Sequence, residues 1–189
     1  MRAWKEAALL LVLTAALPLQ AEVKDRDAHG FTIENSQWVA VAPGTAWRAL
    51  IGQVGLWWPA DHTWWGNPAK LSIEPHAGGC FCEIDGERQA RHMAVVFVEP
   101  DKLLRMTGGL GPLQGMGLDG AMEFRLAAER GGTRITLWYR AGGYVPGDDL
   151  AALVPVVDRV QAAQLSGLSE FLRSGVSTAL KPARSTTHE

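Results

Sequence analysis

Residues 80–106 read CFCEIDGERQARHMAVVFVEPDKLLRM, and the polarity of this stretch repeats every two residues. Cys80, Cys82 and Ile84 alternate with Phe81, Glu83 and Asp85. Beyond Gly86, the residues Ala90, His92, Ala94, Val96 and Val98 alternate with Gln89, Arg91, Met93, Val95 and Phe97. Successive side chains of an extended strand point to opposite faces, so the pattern predicts antiparallel strands with one covered face. Asp85-Gly86 and Pro100-Asp101-Lys102 provide the turns between them.

The same period continues on both sides. Upstream, Leu71 and Ile73 alternate with Ser72 and Glu74, and residues 29–41 read as a first strand. Downstream, the apolar positions are Leu104 and Met106, then Met122, Phe124 and Leu126, then Ile135, Leu137 and Tyr139. Pro43 suits a first helical turn, and Ala46, Trp47, Leu50 and Ile51 recur at helical spacing, which predicts a helix over 43–52 and a further turn at 56–58. From about Asp149 to Arg173, a stripe of Leu150, Val154, Val157, Gln161, Leu165 and Leu168 predicts a long helix with this face on the sheet. The order is strand, short helices, six strands, long helix. That is an α+β chain with a curved seven-stranded antiparallel sheet around a C-terminal helix.

Residues 1–21 read as a signal peptide: Arg2 and Lys5, an apolar run from Ala7 to Leu17, then Pro18. The apolar run is too short to span a bilayer, so no stable membrane span is expected after cleavage, and the location is periplasmic or secreted. Residues 22–180 form the expected domain, and the tail at 181–189 has no apolar payload and is expected to be disordered. Arg2, Lys5 and Glu6 leave with the signal segment, so 18 Lys and Arg become 16, and 20 Asp and Glu become 19. A weakly acidic chain carries no footprint for nucleic acid.

The segments HTWWGNPAKLSIEPHAGGCFCE (62–83) and GGLGPLQGMGLDGAMEF (108–124), set in this element order, resemble the START-like or SRPBCC superfamily. This is the polyketide cyclase/dehydrase and lipid transport group, and the likeness is to an exported bacterial subgroup. The resemblance implies a helix-grip fold, a cavity between sheet and helix that takes an apolar small molecule, and no universal catalytic motif. No cofactor is implied.

Residues 57–92 hold four of the eight Trp, three of the five His and both Cys. His62, flanked by Trp58, Trp64 and Trp65, fits recognition of the polar end of a ligand, and equally a sheet cap with a surface histidine. With an odd loop at Gly86-Glu87-Arg88, Cys82 stands opposite His92 on the covered face, and Glu83 pairs with Arg91 outside. Cys80 and Cys82 are expected as free, buried thiols. A Cys-x-Cys pair facing a histidine can ligate zinc or form a nucleophile pair, but the spacing is not that of a zinc finger and the surroundings are apolar, so no metal is expected. The Gly-rich run 108–120, with Leu113 and Met116, suits a lid or a long hairpin connection. Tyr139 has the inward parity and is expected in the pocket wall, whereas Trp138 has the outward parity. The leading function is binding of a hydrophobic or aromatic small molecule. The alternatives are a cyclase- or hydrolase-type enzyme using His62 or His92 as general acid/base, and a protein-interaction module without a small ligand, its protein partner unspecified.

Overall fold

A computed structural model describes residues 20–146 and 150–179. Residues 1–19, the expected helix start at Asp149 and the tail at 181–189 lie outside the described residues. Nearly all of the signal segment falls there, while Gln20 and Ala21 sit at the beginning of β1 (Gln20–Arg26). The chain continues through β2 (Gly30–Val39), α1 (Pro43–Gly52), α2 (Val54–Trp57), two short 3-10 turns at Ala60–His62 and Pro68–Lys70, and β3 (Leu71–Ile73). Then follow β4 (Cys80–Asp85), β5 (Arg88–Glu99), β6 (Leu103–Thr107), α3 (Pro112–Gly115), β7 (Asp119–Glu129), β8 (Gly132–Gly142) and α4 (Leu150–Ala179). All neighbouring strands are antiparallel, in the order β1-β2-β8-β7-β6-β5-β4-β3.

The sheet therefore has eight strands, not seven. The extra strand, β1, carries only Val23 as a large apolar residue, so no alternation announces it. It forms by pairing with the edge of β2, from Gln20 opposite Ser36 to Arg26 opposite Phe31.

The long helix lies on the concave face as its stripe predicts. Leu150, Val154, Val157, Leu165 and Leu168 are buried, and so is Gln161. Burying each of these aliphatic side chains stabilises the fold by about 1.5–3 kcal/mol. Polar contacts fix the helix against β2: Asn35 Nδ2 donates to Asp158 Oδ1 (3.1 Å), and Gln37 Nε2 donates to Ser166 Oγ (2.8 Å). Beneath the helix, Ile33, Leu104, Met106, Met122, Phe124, Ile135, Leu137 and Tyr139 fill the core, each on the face that its alternation assigns.

The β4–β5 hairpin departs from the expected frame. Its turn is Gly86-Glu87, with Gly86 at φ +65°, and Asp85 pairs with Arg88. Cys82 consequently faces Arg91, not His92. His92 is the extra residue of a bulge between the pairs Cys82–Arg91 and Phe81–Met93, so His92 and Met93 both turn inward. A second irregularity at Val96 keeps Val95 inside and leaves Val96 and Phe97 exposed. On β4 the inward residues are Phe81 and Glu83, while Ile84 is 48% exposed. Of the expected inward set Cys80, Cys82 and Ile84, only Cys82 is buried, and the expected outer Glu83–Arg91 pair is overturned because Glu83 is buried and stands opposite Ala90. Counting apolar letters favoured the wrong parity because the inward set includes a carboxylate.

The cysteines form a disulfide, not two free thiols. In a regular strand, Cα atoms two residues apart are separated by about 6.7 Å. The irregularity between Phe81 and Cys82 shortens the Cys80–Cys82 separation to 5.5 Å, inside the range that a bridge accepts. Both thiolates are thereby withdrawn from the metal and nucleophile readings.

Candidate functional site

A pocket of about 370 Å3 opens between the N-terminal half of α4, the loop around α3, and the segment that follows α2. Trp58, Asp61, His62, Thr63 and Trp64 form one wall, and Leu110, Gly111, Pro112, Leu113 and Met116 form the second. Leu153, Val156, Val157, Val160, Gln161 and Gln164 of α4 form the third, and His92 lies on the sheet side. Trp64, Met116 and Val156 are each more than two-fifths exposed, which marks the mouth.

Local chemistry explains each wall. Pro59 and the 3-10 turn at Ala60–His62 reverse the chain after α2, and Trp58 Nε1 donates to the His62 carbonyl (3.0 Å), closing the reversal. The Trp58 ring packs edge-on against Phe81, with centroids 4.9 Å apart. In the second wall, Gly111 at φ +57° turns the chain into α3, a conformation that costs a side chain more than it costs glycine. Tyr139 ties that loop to the sheet, because its hydroxyl donates to the Gly108 carbonyl (3.2 Å) and accepts from the Leu110 N–H (3.4 Å). Burial raises the Tyr139 hydroxyl to about 12, partly offset by the Leu110 N–H, so it stays protonated.

Glu83 is the hub of the site. Its side chain is fully buried, and it accepts from three donors: the Trp64 N–H (2.9 Å), the Trp65 N–H (3.1 Å) and His92 Nε2 (3.1 Å). The first two fix the aromatic loop against the sheet. The third orients the imidazole. Since the carboxylate only accepts, His92 Nε2 carries the proton. Burial, the largest influence, holds His92 below its ordinary value despite the opposing pull of Glu83. The ring is neutral near pH 7, and its Nδ1 is an acceptor.

Seven buried side-chain polar atoms have no hydrogen-bond partner among the described residues, and five of them belong to side chains lining this pocket: His62 Nδ1, His92 Nδ1, Gln161 Nε2, Gln161 Oε1 and Gln164 Oε1. A buried polar group without a partner costs about 1–3 kcal/mol, so such groups are rarely left without a reason.

Of the residues singled out in the sequence, Trp58, His62, Trp64, His92, Leu113 and Met116 meet at the pocket. Trp65, Cys82 and Tyr139 do not line it. Trp65 lies under the Arg88 guanidinium at 5.3 Å, Cys82 is bridged to Cys80, and Tyr139 acts beneath the loop. Trp138 is on the outer face between Arg125 and Arg140. The sequence reading missed the role of Glu83, and it takes Gln161 and Gln164 only as members of the helical stripe. Two glutamines on the apolar stripe of a helix were the available signal, because a buried amide asks for partners.

No protein-family model and no curated protein matches the chain by sequence. Solved structures do match. MLL2253 from Mesorhizobium loti is 20% identical with a TM-score of 0.55, over 76% of this chain and 97% of that one. CalU16 from Micromonospora echinospora is 20% identical with a TM-score of 0.50, over 76% and 75%. DynU16, a protein of the dynemicin biosynthetic locus, is 15% identical with a TM-score of 0.52, over 76% and 48%. This is a helix-grip fold. At these identities the likeness concerns the fold alone.

Proposed function

We propose that the protein binds a largely apolar small molecule in the pocket between α4, the α3 loop and the aromatic segment at 58–64. One observation carries this reading: five buried, unpartnered polar atoms belong to four side chains that line a single pocket, which is otherwise mostly apolar. Small-molecule sites combine these features, with apolar walls for affinity and a few polar groups for orientation. The volume of about 370 Å3 suits a molecule of two or three rings. The origin of DynU16 in a biosynthetic locus is in keeping with small-molecule chemistry on this fold. Export to the periplasm or beyond belongs to the same proposal, and the Cys80–Cys82 bridge supports it, since disulfides persist in oxidising compartments.

The test is titration with N-phenyl-1-naphthylamine, a neutral fluorophore of suitable size, alongside native mass spectrometry of freshly purified protein. Saturable fluorescence enhancement is expected. Val157→Trp, which fills the pocket from α4, should abolish it, and Trp64→Ala should weaken it more than Trp138→Ala. Enhancement that survives Val157→Trp, or no enhancement and no co-purified molecule, would overturn the reading and favour the interaction module.

A second reading, His92 as a general base acting on the bound molecule, is favoured by the Glu83–His92 contact. It requires that the molecule leave the protein chemically changed. Mass spectrometry of the ligand before and after incubation distinguishes a carrier from an enzyme.

A further inference from the structure

The polar atoms of the pocket restrict what can occupy it. Glu83 takes the proton-bearing Nε2 of His92, so Nδ1 is left as a bare acceptor in a buried wall. Gln161 is fully buried and brings an unpartnered donor, Nε2, as well as an unpartnered carbonyl oxygen. Among the described residues no Lys or Arg lines the pocket, and Asp61 is its one carboxylate. An anionic head group would therefore be buried without a counter-charge, which is among the costliest arrangements a protein can make.

Building on the binding reading above, we propose that the ligand is an uncharged, largely apolar molecule whose polar end is a hydroxyl, of phenol, enol or alcohol type, donating to His92 Nδ1. A hydroxyl can donate to the imidazole and, through the same oxygen, accept from an amide N–H such as that of Gln161. A carboxylate, as carried by a fatty acid, can accept from Gln161 but has no proton to give His92 Nδ1, and it brings a buried charge without a counter-charge. A ketone or ether can accept from Gln161 but leaves His92 Nδ1 unmet. The tautomer of His92 is set from behind, by a carboxylate itself held by two backbone N–H groups, so the preference is built in before the ligand arrives.

Three isosteric probes separate the possibilities: 2-naphthol, 2-methoxynaphthalene and 2-naphthoate, titrated at about pH 7.5, where the first two are neutral. The hydroxyl probe should bind up to about tenfold more tightly than the ether, the worth of one neutral hydrogen bond. The carboxylate should bind at least about a hundredfold more weakly than the hydroxyl probe. In protein with 15N-labelled histidine, the free His92 should show the Nε2–H tautomer, and its Nδ1 resonance should move with 2-naphthol but not with the ether. His92→Phe should bring the naphthol-to-ether affinity ratio close to one, both affinities being read in the same variant. Equal binding of naphthol and ether to the wild-type protein would overturn the hydroxyl assignment and leave the pocket standing as a site. Preference for naphthoate would likewise overturn it. If none of the three displaces N-phenyl-1-naphthylamine, and that fluorophore itself does not bind, the binding reading falls as well.

Discussion

His92 Nε2 lies 3.1 Å from Glu83 Oε2, with both side chains buried and the imidazole delivered inward by a bulge on β5. The contact joins three parts of the fold, because the same carboxylate holds the backbone of Trp64 and Trp65. Glu83→Ala leaves two backbone donors and one ring donor facing a void. It should cost about 3 kcal/mol or more in urea unfolding. Glu83→Gln keeps the shape but turns one acceptor into a donor that faces other donors, and should cost about 2 kcal/mol. A change below about 0.5 kcal/mol in either variant would mean that the hub is not formed in solution.

Acidity should weaken the fold through His92. Its native pKa is depressed, chiefly by burial, from an ordinary value of 6.5. The unfolded chain takes up that proton near the ordinary value, so below it the unfolded state binds more protons and stability falls as pH drops. The contribution is fully present above about pH 6.5 and is lost progressively down to the native pKa. Urea midpoints between about pH 7.5 and 5.5 should decline in the wild-type protein and less steeply in His92→Gln. Equal slopes in the two proteins would contradict the assignment.

Tyr139→Phe removes the hydroxyl bonded to Gly108 and Leu110 without touching the pocket surface. It should lower stability by about 1–3 kcal/mol. It should also raise amide exchange in the 108–118 loop selectively, which is measurable by hydrogen-exchange mass spectrometry. Uniform exchange changes across the sheet would argue against a tether.

Gln161→Leu replaces an unpartnered buried amide with an apolar side chain of similar size. The ligand-free protein should gain about 1 kcal/mol, while affinity for 2-naphthol should fall. Loss of stability instead would show that the amide is already satisfied in the free protein.

Reduction of Cys80–Cys82 should be mild. The bridge closes a loop with a sequence separation of two, for which chain entropy gives only about 1.5 kcal/mol. Cys80→Ser/Cys82→Ser should fold and should bind N-phenyl-1-naphthylamine within about threefold of wild type, as neither sulfur lines the pocket.

How far the sequence carried depended on whether a residue obeyed a period. The strands β6, β7 and β8 alternate cleanly, and α4 shows an uninterrupted stripe, so both were legible. The β4–β5 hairpin was not, because a bulge adds one residue and inverts the faces beyond it. Glu83 was hidden for a related reason: a carboxylate reads as solvent-facing until its three donors are known, and two of these are backbone groups from a distant loop. β1 was missed since an edge strand gains its hydrogen bonds from a neighbour and needs little apolar surface of its own. The aromatic loop and the Gly-rich loop were recognisable as special by composition. That both close on the same face of α4 depends on long-range packing.

The two borders of the sheet bear on how the molecule behaves in a crowd. β3 ends one side after only three residues, with Pro68 before it and Pro75 after it, and neither proline can donate a ladder hydrogen bond. β1 ends the other side with Glu22, Lys24, Asp25 and Arg26 along its length. Short, proline-flanked and charge-laden borders are poor templates for an incoming strand. The chain can thus keep a long, open sheet and an oily cleft without inviting its own copies to stack edge to edge into fibres.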